Sequence, residues 1–371
     1  MKVGLISFHS FFRPGGVKNH ILGLAQEFKK RGIETKIIAP RRKGSEDYGQ
    51  DVILLGTSFP LSFSGSKSDL SINFNPLAVE KVLKREKFDV LHFHNVGFPS
   101  TLQILESSKS LNILTLHSNI DGNRFFAKLP KIFYPFEKLI CRKIGGIIGV
   151  SSVSLEFLKN YSGPKTIIPN GIDVELFNPR APRIEGFGET GILFVGRIEK
   201  RKGLIYLLKA HKLLSKKHPG LRLIIVGEGE LKKDCQNWAA ENNLKEVYFK
   251  GEISEEERPS YFASADIFVS PAVFGESFGL VLLEAMASGT PLVGFANRGY
   301  QELLKGKRGA DFLVPPKDYQ ALARKIDVLI ENKSLRQEVA EWGVAEAQNY
   351  SWSKVADKIL NFYQLCQKKK S

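Results

Sequence analysis

Short runs of β-branched and apolar residues, each followed by a stretch with helical hydrophobic spacing, alternate along almost the whole chain. A sequence written this way is built for parallel strands joined by crossover helices, in a doubly wound α/β sheet. In the first half, strands are expected at residues 3–8, 35–39, 90–94, 113–117, 146–150 and 166–168. In the second half they are expected at 192–195, 222–226, 247–250, 267–270, 292–295 and 312–314. The clearest helix, 18–31, sets Ile21, Leu22, Leu24, Ala25 and Phe28 at helical spacing and stops at Gly32. Residues 41–75, rich in Ser, Gly and charge, read as a loop-rich excursion.

At 371 residues the chain is long for one core and comfortable for two. The alternating set runs twice without a residue-level repeat, so two Rossmann-like domains are expected, at 1–170 and 171–350, with the linker within 178–191. Residues 351–371 form a closing amphipathic helix with Val355, Ile359, Leu360 and Tyr363 on one face.

Composition excludes several classes. Cys141, Cys235 and Cys366 are odd in number and scattered, which argues against a disulfide framework or a zinc site. No apolar run reaches transmembrane length, and the first ten residues enter a strand pattern rather than a signal peptide; a cytoplasmic protein, peripheral on the inner face of the membrane, is expected. Of the net charge of +15, the residues through Asn170 carry +11. A basic face suits an anionic lipid surface or an acidic acceptor. Nucleic acid is not expected as a partner, because no helix-turn-helix, zinc-finger or RNP-like pattern accompanies the charge.

The stretch SPAVFGESFGLVLLEAMASGTP, residues 270–291, carries the strongest chemical signal. Between Ser277 and Asn297 the side chains are apolar, small or hydroxyl except for Glu284. A buried carboxylate needs a partner. With no Lys or Arg near in sequence, that partner is expected from outside the chain; the other reading pairs Glu284 with a distant base and leaves Glu276 a solvated loop acid. A helix is expected over 280–287, closed by Gly289 and Pro291, with Glu276 just before it. The amides near Ser277, Phe278, Gly279 and Leu280 then form a bed for an anionic oxygen. Two carboxylates around such a bed match a sugar nucleotide: sugar hydroxyls for Glu276, diphosphate for the amides, and the ribose diol for Glu284.

Other signals are weaker alone. Gly15 and Gly16 sit in a strand-to-helix turn, where they serve either the turn itself or close approach of a phosphate. In GRIEKRKG, Arg197 and Lys202 flank a turn before a helix, either as surface charge or as a diphosphate clamp. His92, His94 and His117 fall at the ligand-binding ends of expected strands. Without a convergent carboxylate or Cys, no metal is assigned to them, and no D-x-D occurs in the chain. The helix 76–87 carries Lys81, Lys84, Arg85 and Lys87 beside apolar residues; a solvated face and a membrane or acceptor contact both account for it. The stretch 121–143, mixing aromatics and bases, reads either as an acceptor groove or as a helix on the sheet.

Taken together, these motifs resemble a known family. Glu276 to Glu284 is similar to the E-x7-E signature of retaining glycosyltransferases of family 4, and R-x4-K-G at Arg197 to Gly203 is similar to that family's diphosphate clamp. PGGV followed by His20, the basic helix, GESFG and YSWSKVADKI resemble the phosphatidylinositol mannosyltransferases. The resemblance implies the GT-B fold, two Rossmann-like domains facing across a cleft, with the last helix returning to the first domain. It implies metal-independent transfer of a hexose, with retention, from a nucleoside-diphosphate sugar, GDP-mannose before UDP-glucose or UDP-GlcNAc. The implied acceptor is a hydroxyl of a lipid-linked or polyol molecule such as phosphatidylinositol. No cofactor beyond the donor substrate is implied. It assigns catalytic roles to Glu276, His117, Arg197 and Lys202: His117 orients sugar and acceptor, Arg197, Lys202 and Gly16 meet the leaving diphosphate, and Gly15 shares that turn. A non-catalytic sugar-nucleotide sensor and an epimerase on a similar fold are the alternatives.

Overall fold

A computed structural model describes residues 1–369 except 12–14, 45, 64–65, 74, 98, 118–129 and 159. The chain divides into two compact units, Met1–Gly171 with Trp352–Ser371, and Ile172–Ser351.

The first unit holds eight strands: β1 Lys2–Ser7, β2 Glu34–Arg41, β3 Val52–Phe63, β4 Ser66–Ile72, β5 Val90–His94, β6 Leu111–Leu116, β7 Gly146–Gly149 and β8 Lys165–Ile167. They lie in the order β4-β3-β2-β1-β5-β6-β7-β8. All neighbours are parallel except β3 and β4, which pair antiparallel from Thr57↔Ile72 to Phe63↔Ser66. This corrects two expectations: the sheet is not wholly parallel, and much of the stretch read as a loop is an edge hairpin. Its Ser, Gly and Lys content hid it, because an edge pair need not carry the continuous apolar runs of a buried parallel strand.

The first helix, Gly16–Lys30, buries His20, Ile21, Leu24 and Phe28 on the sheet. The closing helix, Trp352–Lys368, lays Val355, Ile359, Phe362 and Tyr363 into the same core with β1, β5 and β6. It is tied to the first helix by Arg31, which binds Asp357 at 2.5 Å and the Ser353 carbonyl at 2.8 Å. The Trp352 ring lies so close to Gly23 that an added Cβ would come within 2.2 Å of it.

The second unit is a six-stranded parallel sheet: β9 Thr190–Val195, β10 Leu221–Val226, β11 Val247–Gly251, β12 Ile267–Ser270, β13 Leu292–Phe295 and β14 Leu313–Val314. Its order is β11-β10-β9-β12-β13-β14. In each unit the winding reverses beside the first strand, between β1 and β5 and between β9 and β12. Ligands of open α/β sheets bind outside the carboxyl ends of strands at that reversal. The four loops leaving these strands are therefore where chemistry is expected. Three of them, after β1, β9 and β12, carry the glycine-containing motifs read from the sequence. Among the described residues no helix is long and apolar enough to cross a membrane.

Candidate active site

In the second unit, β12 runs through Ser270 into a loop that ends at the helix Leu280–Ala287. Every residue in this helix is a good helix former except Val281, and seven of its eight residues are buried, as an apolar-all-round sequence demands. Gly279 stands at its N-cap with φ 110°, a conformation costly for other residues, and no side chain caps the first turn. The backbone of Glu276 to Phe278 rests on Gly299, where a Cβ would come within 2.5 Å of the Glu276 carbonyl oxygen.

Glu284 is 2 % exposed, and its partner lies inside the chain: Arg258 Nη2 donates to Glu284 Oε2 at 2.6 Å. The expectation of a partner from outside is wrong, because it judged reach along the sequence. Arg258 opens the helix Arg258–Ser264 that leads into β12, while Glu284 lies on the helix that leads out of it, so one strand brings the two together. A signal was present: an arginine at a helix start opposes the helix dipole and calls for a carboxylate. Burial pushes the Glu284 carboxyl up to about 7; Arg258 pulls it down without cancelling that effect, and Glu255 adds to it.

Glu276 and Lys202, read as contacts for different parts of one ligand, are bound to each other. Lys202 Nζ and Arg201 Nη1 both reach Glu276 Oε1 at 2.7 Å. Burial pushes the Glu276 carboxyl up, but Lys202 and Arg201 together outweigh it and hold the group below its ordinary value. Lys202 is held down, first by burial and then by the neighbouring arginines, against the pull of Glu276. Arg201, which the sequence reading passed over, also donates from Nε to Glu199 at 2.6 Å. Arg197 is half exposed and only loosely paired, 3.7 Å from Glu199. Arg197, Lys200, Arg201 and Lys202 set against Glu199 and Glu276 leave two net positive charges at this loop.

The two loops are bolted together. Val273 N–H donates to the Arg201 carbonyl at 2.8 Å. Gly203, at φ 69°, approaches Pro271 so closely that a Cβ would sit 2.2 Å from its carbonyl oxygen. Beneath them Asn297 caps the next helix and donates from Nδ2 to the Ala272 carbonyl at 2.9 Å, and Tyr300 meets Ser270 through their hydroxyls at 2.7 Å.

In the first unit, Gly15 and Gly16 open the first helix with nothing within 4 Å of an added Cβ, and Gly15 is in an extended conformation that any residue adopts. Among the described residues, then, nothing obliges glycine at either position. His92 and His94 end β5, and His117 follows β6. His94 Nδ1 and His117 Nε2 lie 3.1 Å apart, His117 Nδ1 lies 3.2 Å from Asn170 Oδ1, and the His117 N–H donates to Asn95 Oδ1 at 2.6 Å. Any ring contact from His117 to a sugar must replace one of these partners. His92 is held by Thr115 and by Tyr363 of the closing helix, each at 2.6 Å. His20 joins them from the first helix, its ring edge-on to His117 at 4.5 Å. Burial, with repulsion from neighbouring imidazoles, pushes His20 and His92 down to about 3 and His94 and His117 well below their usual value.

Lys81, Lys84, Arg85 and Lys87 are exposed on and just beyond the helix Pro76–Glu86, with Leu77 exposed on the first turn. Lys84 is bridged to Glu80 at 3.1 Å and Arg85 to Glu86 at 2.7 Å, while Lys87 takes the left-handed C-cap position. Of the stretch read as an acceptor groove, residues 121–129 lie outside the described residues and Pro130–Lys143 is a helix.

Two doubly wound units, each reversing its winding where the glycine loops leave the sheet, have the architecture of the GT-B fold. Solved structures share the fold over the whole chain: a sucrose-phosphate synthase from Thermosynechococcus elongatus (TM-score 0.79, 22% identity, 98% of both chains) and Anabaena HepE in complex with UDP and glucose (TM-score 0.74, 20% identity, 98% of this chain and 99% of that one). The family model described as glycosyltransferase family 4 matches residues 14–176, and that of the glycosyl transferases group 1 matches residues 181–344. A phosphatidyl-myo-inositol mannosyltransferase from Mycobacterium tuberculosis is 33% identical over 98% of this chain and 97% of its own. The chain belongs to glycosyltransferase family 4.

Proposed function

We propose that this glycosyltransferase moves mannose from GDP-mannose to a hydroxyl of an inositol-containing lipid, with retention at the anomeric carbon and without a catalytic metal. The observation that carries the site is the pairing of Arg201 and Lys202 with Glu276, with Arg197 on the same loop, beside an uncapped helix start. The sugar and acceptor classes draw their support from full-length similarity to phosphatidyl-myo-inositol mannosyltransferases.

The difficulty in the reaction is charge. The departing diphosphate gains negative charge while the sugar becomes cationic, and preorganised donors answer the first need. In the donor-free protein, Glu276 occupies Lys202 and Arg201. Arrival of the diphosphate exchanges Lys202 from carboxylate to phosphate, with Arg197 closing from solvent and the amides of Phe278, Gly279 and Leu280 at the helix start completing the cradle. Ser277 belongs to the same turn, and Gly15 and Gly16 offer the open turn of the first unit. Glu276, released from Lys202, takes sugar hydroxyls. Glu284, fixed by Arg258, accepts the ribose diol. His117 exchanges His94 for a hydroxyl of sugar or acceptor. The leaving phosphate takes the acceptor proton on the face it departs from. Lys81, Lys84, Arg85 and Lys87 face the anionic membrane that holds the acceptor.

The test is a panel of GDP- and UDP-sugars incubated with the protein, with and without vesicles containing phosphatidylinositol, following nucleotide release. Lipid-stimulated release of GDP from GDP-mannose is expected. Release from a UDP-sugar instead would overturn the donor assignment, and donor binding without any release would make the protein a sensor.

A further inference from the structure

The cluster of His20, His92, His94 and His117 in the first unit leaves one observation unexplained. His20 is 3 % exposed, yet among the described residues neither of its ring nitrogens makes a hydrogen bond of ordinary geometry, Asn170 lying near enough only to soften its pKa shift. His94 is fully buried, and its Nδ1 faces the His117 ring nitrogen Nε2 at 3.1 Å. Buried polar atoms left unpaired are rare and costly, and call for a ligand. The sequence reading assigned no metal here because it saw no convergent set. The fold supplies one, because the first helix brings His20 against the ends of β5 and β6.

We propose that His20, His94 and His117 bind a borderline-soft divalent cation such as Zn²⁺, and that the cation competes with the sugar for His117. One ring nitrogen from each residue lies within 4.8 Å of the other two. Adjacent nitrogens around a tetrahedral zinc are about 3.3 Å apart, and His94 Nδ1 and His117 Nε2 already stand at 3.1 Å. His20, whose ring is edge-on to His117 at 4.5 Å between centroids, completes the set. Asn170 holds the far nitrogen of His117, the kind of outer contact that fixes the orientation of a metal-bound imidazole. His117 is the partly exposed member and gives the ion its way in. Zn²⁺ here is an inhibitor, not a cofactor, because it takes the nitrogen that a hydroxyl would use. The competition rests on the reading of His117 given above; the binding does not.

The full-length protein, stripped with chelator, is titrated with Zn²⁺ and with Co²⁺. One equivalent is expected to bind, with the intense visible absorption of four-coordinate Co²⁺. His20→Gln and His94→Gln should each weaken binding at least about tenfold. Only the weak spectrum of a six-coordinate surface ion would overturn the site, and this readout needs no variant. His218, Asp327 and Glu331 form the other candidate group among the described residues. A signal lost in His218→Ala and kept in His20→Gln would place the ion there and also overturn the proposal. Zn²⁺ should inhibit nucleotide release, reversibly with EDTA. Binding without inhibition refutes the competition, whereas a protein with no turnover in any donor refutes the glycosyltransfer reading and leaves the cobalt spectrum to decide the site.

Discussion

Removing the Arg258 guanidinium tests the electrostatics of the second unit most directly. Glu284 Oε2 lies 2.6 Å from it, with the Glu284 side chain 3% exposed and Arg258 22%. Breaking a buried pair by deleting one partner costs about 3–5 kcal/mol, because the remaining charge is left without solvent. Glu284 has an escape: its carboxyl already titrates near 7 in the folded chain, against an ordinary value of 4.5. A raised folded pKa means that the folded state holds the proton more tightly. The associated stability is fully present below pH 4.5 and lost as pH rises through 7; the gap corresponds to about 3 kcal/mol. Glu284→Gln, which never ionises, should therefore match the wild type near pH 5 and exceed it by up to about 3 kcal/mol at pH 8.5. For a unit of this size that is about 6–12 °C in Tm. Arg258→Ala should lose its full 3–5 kcal/mol at pH 8.5, and only about 1–2 kcal/mol at pH 5, where the guanidinium's hydrogen bond to an uncharged carboxyl is what goes. Thermal unfolding followed by circular dichroism at both pH values gives all three numbers. An Arg258→Ala penalty that does not change with pH, or a Glu284→Gln variant less stable than the wild type at pH 8.5, refutes the reasoning.

The site itself offers simpler tests. Glu276→Ala and Arg197→Ala should each lose most nucleotide release while unfolding at nearly the wild-type temperature; full activity in both rejects the site. Gly203→Ala forces a Cβ against the Pro271 carbonyl at a left-handed φ, and should cost about 1–3 kcal/mol and weaken donor binding in calorimetry. Replacing Lys81, Lys84, Arg85 and Lys87 by glutamine should reduce co-sedimentation with anionic vesicles at low salt, and unchanged binding disposes of the membrane role.

What could be read from the sequence was whatever is local. Strands at 90–94, 267–270 and 292–295 and the helix at 280–287 end where the pattern says they should, because period and breaker residues act over a few positions. The hairpin of β3 and β4 escaped notice because its polar composition resembles that of a loop. The site's pairings escaped for a different reason. Arg258 with Glu284, Arg201 with Glu276, and His20 with His94 and His117 are contacts between elements, set by strand order rather than by spacing. The inference that a carboxylate without a nearby base must look outside the chain failed on that ground.

The chain leaves the first unit at Gly171 and re-enters it at Trp352, and a parallel bridge between Ile172 and Ser351 draws the exit and the return together. A ribosome therefore releases the last helix only after the entire second unit has been made. Until then one face of the first sheet stands bare of Val355, Ile359 and Phe362, and His92 lacks Tyr363. The nascent first unit depends on residues still unsynthesised, so a stop codon near position 350 would disable the half of the molecule translated first.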